Sequence, residues 1–207
     1  MGNGDQHGTL KRWVEDAVAA LDSVDVGALL LAVRRLSDVR ARGGVIYTAG
    51  NGGSAATASH LALDLQKAAA TRAICLSDSM GLVTAWGNDA SFERVFAQQL
   101  DLLATERDGL VVISVSGSSP NLIALLESAR RLKVTSVGLL GRDGGQARRL
   151  VDVPVIVPHD DYGWVETAHV ALHHVLTYAL RDSLGTAASV SLPAPSAAGV
   201  PPDDHRR

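Results

Sequence analysis

The stretch Gly44-Val45-Ile46-Tyr47-Thr48-Ala49-Gly50-Asn51-Gly52-Gly53-Ser54 reads as a buried strand, a glycine-rich turn and the first turn of a helix. That order builds an anion site. Glycines let the chain turn tightly and bring its backbone close to a ligand. The helix start that follows offers unpaired N–H groups and a partial positive charge. A phosphate is the natural guest, and Ser54 adds a hydroxyl. The spacing is not a dinucleotide-binding fingerprint, since Gly50-x-Gly52-Gly53 lacks the spaced third glycine. It is not a Walker loop either, since no Gly-Lys-Ser/Thr follows. A tight strand-to-helix connection without a ligand is the plainer explanation of the same residues.

A second loop of this kind follows further on. Leu110-Val111-Val112-Ile113 is a short apolar run, and Ser114-Val115-Ser116-Gly117-Ser118-Ser119-Pro120-Asn121 leads from it into a helical pattern at 122–132. One serine suffices to cap a helix. Four serines and a glycine look like ligand chemistry, because hydroxyls and backbone amides bind phosphate without added positive charge. In open parallel sheets, ligands sit beyond the carboxyl ends of the strands, which is where both loops belong.

The rest of the chain fits that frame. Strands are expected near 45–49, 73–77, 110–114, 134–140 and 153–157, alternating with helices, which predicts an α/β fold with a five-stranded parallel sheet flanked by helices. Two helices at 9–22 and 26–42 precede the first strand as a hairpin, with Leu10, Trp13, Val14, Val18 and Leu21 on one face of the first. A last helix is expected at 163–184. Residues 1–8 and the Ala, Ser and Pro-rich segment 186–207 read as disordered, leaving one domain at 9–185. Net charge is −3 with no basic tract, which argues against nucleic-acid binding. Apolar runs stop well short of ~18 residues, so no membrane span is expected. Cys75 is the only cysteine and reads as a small buried hydrophobe. The cytoplasm is the expected location.

Chemistry concentrates on two helices. His60 and Asp64 are one turn apart on the helix after the first loop. Glu166, His169 and His173 share a face of the last helix by their spacing of three and four, and His174 lies roughly 80° round from Glu166. Two histidines and two carboxylates can hold a divalent ion such as zinc or serve as acid and base. His169 and His173 read equally well as packed core residues.

The set of Gly50-Asn51-Gly52-Gly53-Ser54, His60, Asp64, Gly87-Asn88-Asp89, the Ser114–Asn121 loop, Gly141-Arg142-Asp143-Gly144-Gly145 and a last helix with Glu166, His169 and His174 resembles the sugar-isomerase (SIS) fold. Within it the chain is most similar to the phosphoheptose isomerases, over about residues 10–185. The resemblance implies an aldose–ketose isomerase of sugar phosphates, working on sedoheptulose 7-phosphate through an enediol. It implies a homotetramer and no nucleotide cofactor. Asp64 falls at the family's catalytic carboxylate and His174 at its catalytic histidine. His60, Asp64, Glu166 and His174 fall at the positions of a zinc site. Asn51, Gly52, Gly53, Ser54, Asn88, Asp89, Ser114, Ser116 and Ser119, with Asp64 and Glu166, fall at substrate contacts. Three residues depart from the pattern: Asp64 stands for a glutamate, Glu166 for a glutamine and Val115 for a threonine. An isomerase of a shorter sugar phosphate and a non-catalytic phosphosugar-binding scaffold remain the alternatives, since fold alone does not decide function.

Overall fold

The structure is a computed structural model that describes residues 3–185. Its centre is β1 (Ile46–Ala49), whose four side chains are all buried. A strand covered on both faces belongs inside a parallel sheet. β1 pairs in parallel with β2 (Ala73–Cys75) on one side and with β3 (Gly109–Ser114) on the other. β4 (Thr135–Gly141) and β5 (Val153–Val157) extend the sheet to the order β2-β1-β3-β4-β5. The chain therefore leaves β1 in one direction, returns, and continues on β1's far side. The C-terminal ends of β1 and β3 meet at that reversal, which puts the glycine loop and the serine loop side by side.

Alternate residues of β3 face opposite layers, as the pleat requires. Val111 and Ile113 join the core formed with α2 (Val26–Ala41), α3 (Gly53–Lys67) and α7 (Tyr162–Gly185). Leu110 and Val112 join the second core, with α6 (Pro120–Arg131) and α5 (Ala97–Leu103). α4 (Met80–Asp89) buries none of its residues, and it and α5 carry too little periodicity to be read from the sequence.

α1 runs Asn3–Asp22 and so starts six residues ahead of the expected 9. Asn3, Gly4, Asp5, Gln6, His7 and Gly8 give no apolar spacing, so the pattern is silent there, yet residues 3–8 are helical rather than disordered. Residues 1–2 and the expected tail at 186–207 lie outside the described residues. The apolar face of α1 is left largely open: Trp13 is 51 % and Val18 63 % exposed. α2 starts at an Asp25 cap, whose carboxylate accepts from Gly27 N at 2.7 Å. Its far end is tied to α7 by Arg40, which donates to the Leu180 carbonyl and to Ser183 Oγ.

At the N-terminal end of the sheet, buried Asp108 fixes the start of both central strands. Its carboxylate accepts from Val45 N at 2.7 Å, from Thr105 N at 2.7 Å and from Thr105 Oγ1 at 3.0 Å. Asp108→Ala strips two backbone N–H groups of their acceptor, and each such loss costs about 1–3 kcal/mol. Urea unfolding of that variant is expected to show a loss of at least ~2 kcal/mol, and an unchanged midpoint would contradict this role.

Candidate functional site

Two helix N-termini converge where the sheet reverses. Gly50 lies so close to the Ser54 backbone that a side chain there would overlap it, which makes the turn into α3 a glycine turn. Gly52 caps α3 at φ 54° with no side-chain hydrogen bond. Ser119 caps α6, and its hydroxyl makes no capping bond either. The serines are thus not explained as caps. Ser114 Oγ accepts from Gly117 N, and Ser116 Oγ accepts from Ser118 N, so the loop is shaped by its own hydroxyls. Gly117, at φ 60°, packs on the Gly144 carbonyl, where any side chain would collide. The two strand loops are then joined by reciprocal amides. Asn51 Nδ2 donates to Asn121 Oδ1 at 2.9 Å, and Asn121 Nδ2 donates to Asn51 Oδ1 at 2.8 Å.

Between them lies a cavity of about 110 Å³ lined by Asn51, Ser54, Ser114, Ser116, Ser119 and Glu166, with Tyr162 and apolar side chains beneath. No cation lines it. Two helix N-termini and hydroxyl and amide donors face it, which suits a phosphate, while Glu166 brings one carboxylate to its wall. Size alone points elsewhere, to a cleft of about 740 Å³ along β5. That cleft mixes Arg142 and Arg148 with Asp25, Asp143 and Asp160 and carries no grouped acid and base.

Further along α3, Asp64 turns its carboxylate to three imidazoles rather than to Lys67. Asp64 Oδ2 lies 3.5 Å from His60 Nε2, 3.4 Å from His173 Nε2 and 3.3 Å from His174 Nδ1. The His173 and His174 ring centroids are 3.9 Å apart, and those of His60 and His173 are 4.4 Å apart. One ligand atom from each of His60, Asp64, His173 and His174 lies within 4.8 Å of the others, so this group could hold a metal ion. His173 is fully buried, and neither of its ring nitrogens makes a hydrogen bond. Burial, helped by the neighbouring His174 and His60, pushes its pKa down to about 4 against the pull of Asp64.

The four residues differ from the expected metal set in one place. His173 is present and Glu166 is absent. Residues 166 and 173 share a helix face but stand about two turns, roughly 11 Å, apart along the axis. Glu166 instead lies in the serine cavity, its carboxylate against the site a Gly53 side chain would fill. Spacing on a helix reports the face and not the height, so the shared face of Glu166 and His173 does not bring them together; Glu166 was expected at the metal through the resemblance alone. Asn88 and Asp89 lie at the exposed end of α4, where Asn88 donates to Asp89, and they line neither the cavity nor the imidazole group. His169 is buried with both ring nitrogens unpaired and joins neither group. Among the described residues no helix is long and apolar enough to cross a membrane.

The chain is similar to known proteins. The SIS domain family model matches residues 12–141. The phosphoheptose isomerase of Trichlorobacter lovleyi is 39 % identical over 155 residues, covering 72 % of this chain and 79 % of the relative. Phosphoheptose isomerase 1 of Campylobacter jejuni is 34 % identical over 179 residues, covering 84 % and 96 %. Among solved structures, the phosphoheptose isomerase of Neisseria gonorrhoeae aligns with a TM-score of 0.80 at 30 % identity, over 86 % of this chain and 98 % of that one.

Burial holds the His169 pKa down to about 4 from its ordinary 6.5. The unfolded chain therefore takes up a proton at a higher pH than the folded one. The stability that neutral His169 confers is complete above about pH 6.5 and is lost as the pH falls towards 4. Urea midpoints measured between about pH 7 and pH 4.5 should fall, and His169→Leu should fall less steeply. Parallel pH profiles for the two proteins would overturn this assignment.

Proposed function

The chain belongs to the SIS-domain family of phosphoheptose isomerases, and we propose that it interconverts sedoheptulose 7-phosphate and a D-glycero-heptose 7-phosphate. One observation carries this reading. A cation-free serine cavity and a carboxylate ringed by imidazoles are spaced about two helical turns apart along α7. The cavity suits the phosphate and the imidazole group suits the reacting end, with room between them for a long polyhydroxylated chain. That separation favours a heptose phosphate over a shorter sugar.

In the proposed reaction, Asp64 takes a proton from the carbon next to the carbonyl, a cis-enediol forms, and the proton returns to the neighbouring carbon. Asp64 Oδ2 faces the three imidazoles, which leaves Oδ1 for the substrate. His174 meets Asp64 through Nδ1, so Nε2 is the nitrogen free to move a proton between the two sugar oxygens. Asn51, Gly52, Gly53, Ser54, Ser114, Ser116 and Ser119 bind the phosphate end. Glu166 faces its hydroxyls, whereas Asn88 and Asp89, at the exposed end of α4, line neither end of the site. The orphaned nitrogens of His173 and the borderline donors around it fit a divalent ion, for which zinc is our reading. Such an ion would supply Lewis-acid polarisation of the carbonyl.

A non-catalytic scaffold would need the phosphate cavity but not an acid and base beside it. The open apolar face of α1 supports assembly into a homotetramer, and we propose a cytoplasmic enzyme.

Asp64→Asn and His174→Ala should each lower turnover of sedoheptulose 7-phosphate by ~10²–10⁴-fold while the protein stays folded and still binds inorganic phosphate. Normal turnover in Asp64→Asn removes the mechanism. Activity lost in His173→Ala but kept in His174→Ala would reassign the acid. For the phosphate end, Ser116→Ala with Ser119→Ala should weaken sugar-phosphate binding far more than it lowers stability. Unchanged affinity by calorimetry would remove the serine loop from the site. Light scattering should report a tetramer at micromolar concentration, and a monomer would contradict the assembly.

A further inference from the structure

We infer that Arg142 supplies the counter-charge for the substrate's phosphate, brought to the wall of the serine cavity by the ring of Tyr162. This role rests on the reading that a phosphate occupies that cavity. It falls to the Gly141-Arg142-Asp143-Gly144-Gly145 turn after β4, which the proposed proton transfers leave unused.

The turn is bound to the serine loop. Ala147 N donates to the Gly117 carbonyl at 2.8 Å. A side chain at Gly145 would overlap the Ser116 carbonyl and Ser118 Oγ, so the two backbones meet through glycine. Gly144 and Gly145 take positive φ in this turn, and so does Arg142, at 55°. Glycine adopts that conformation freely, whereas a residue with a Cβ is strained in it. An arginine kept at such a position points to a use for its side chain.

The guanidinium is not spent on the protein. Asp25, Asp143 and Asp160 line the same cleft, yet among the described residues it makes no ion pair and no hydrogen bond. Asp25 and Asp143 accept instead from the backbone N–H groups of Gly27 and Gly145. Arg142 lies over the Tyr162 ring, with Cζ 5.1 Å from the centroid.

Tyr162 in turn lines the serine cavity, and so does Glu166, four residues on along α7. That helix face brings a carboxylate to a site for a dianion, and no cation lines the cavity to offset it. Arg142 is the positive charge carried on the same wall. A cation–π contact at an exposed ring is weak, and a charge-assisted, bidentate bond to a phosphate is stronger. The guanidinium therefore passes from the ring to the phosphate when the substrate enters. The phosphate is remote from the reacting carbons, so this bond is equally strong in ground and transition states. It lowers KM and leaves kcat alone.

The test uses the full chain, steady-state turnover of sedoheptulose 7-phosphate and calorimetric titration with inorganic phosphate. Arg142→Gln should raise KM and weaken phosphate binding by ~10–100-fold, with kcat within about twofold. Arg142→Lys, which keeps the charge, should lose less, and so should Tyr162→Leu, which removes only the ring. Arg142→Gly relieves the backbone, so its urea midpoint should hold or rise while its phosphate affinity falls as in Arg142→Gln. A midpoint that falls together with the affinity would make the residue structural and overturn the role. Phosphate affinity within about twofold in Arg142→Gln, beside a loss in Ser116→Ala with Ser119→Ala, would also overturn it and leave the phosphate reading standing. So would a fall in kcat at unchanged KM. Phosphate binding that the serine double variant leaves intact, or no phosphate binding at all, would remove the phosphate reading and this role with it.

Discussion

The pairing of β1 with β3 at the centre of the sheet is the constraint on which the site depends. The chain turns back there, so two strand-to-helix loops far apart in sequence end side by side. Neither loop is an anion site of any strength alone. Together they aim the N-termini of α3 and α6 into one cavity, and the Asn51–Asn121 amide pair holds them in register. The other end of the same strands is fixed by the Asp108 carboxylate. The backbone between these two ties is almost wholly buried.

α3 and α7 then carry the site away from the sheet. They run in the same direction: Gly53 meets Glu166 near their starts, and Asp64 meets His173 and His174 two to three turns on. Helix rise sets the serine cavity and the imidazole group about two turns apart. The division of labour is electrostatic as well as spatial. The serine cavity is built of helix dipoles and hydroxyls, and no cation lines it. The other group gathers imidazoles around one carboxylate, an arrangement that suits proton transfer or metal binding.

Much of this was legible in the sequence. The order strand, glycine loop, helix at 45–60 and strand, serine loop, helix at 110–132 predicted the sheet and the cavity, because turns and helix caps are local chemistry. The five strands fall within a few residues of expectation for the same reason. The metal group was less legible. His60 and Asp64 are a local pair and were readable. Their partners depend on how high α7 sits against α3, which periodicity does not encode; Glu166 entered the metal set through the resemblance, and in the structure His173 is the residue gathered with Asp64, His60 and His174. The helical start of α1 at Asn3 and the whole of α4 and α5 were missed. α4 buries no residue, so it leaves no apolar period to read.

The central claim is chemical: one carboxylate and one imidazole, set two turns from a phosphate cavity, move a carbonyl along a heptose phosphate. The most direct measurement follows purified protein with sedoheptulose 7-phosphate by ¹H NMR, with and without added zinc. The account predicts the appearance of aldose anomeric signals and approach to a fixed ketose–aldose ratio from either side. Ketose left unchanged under both conditions, by protein shown to be folded, would contradict it.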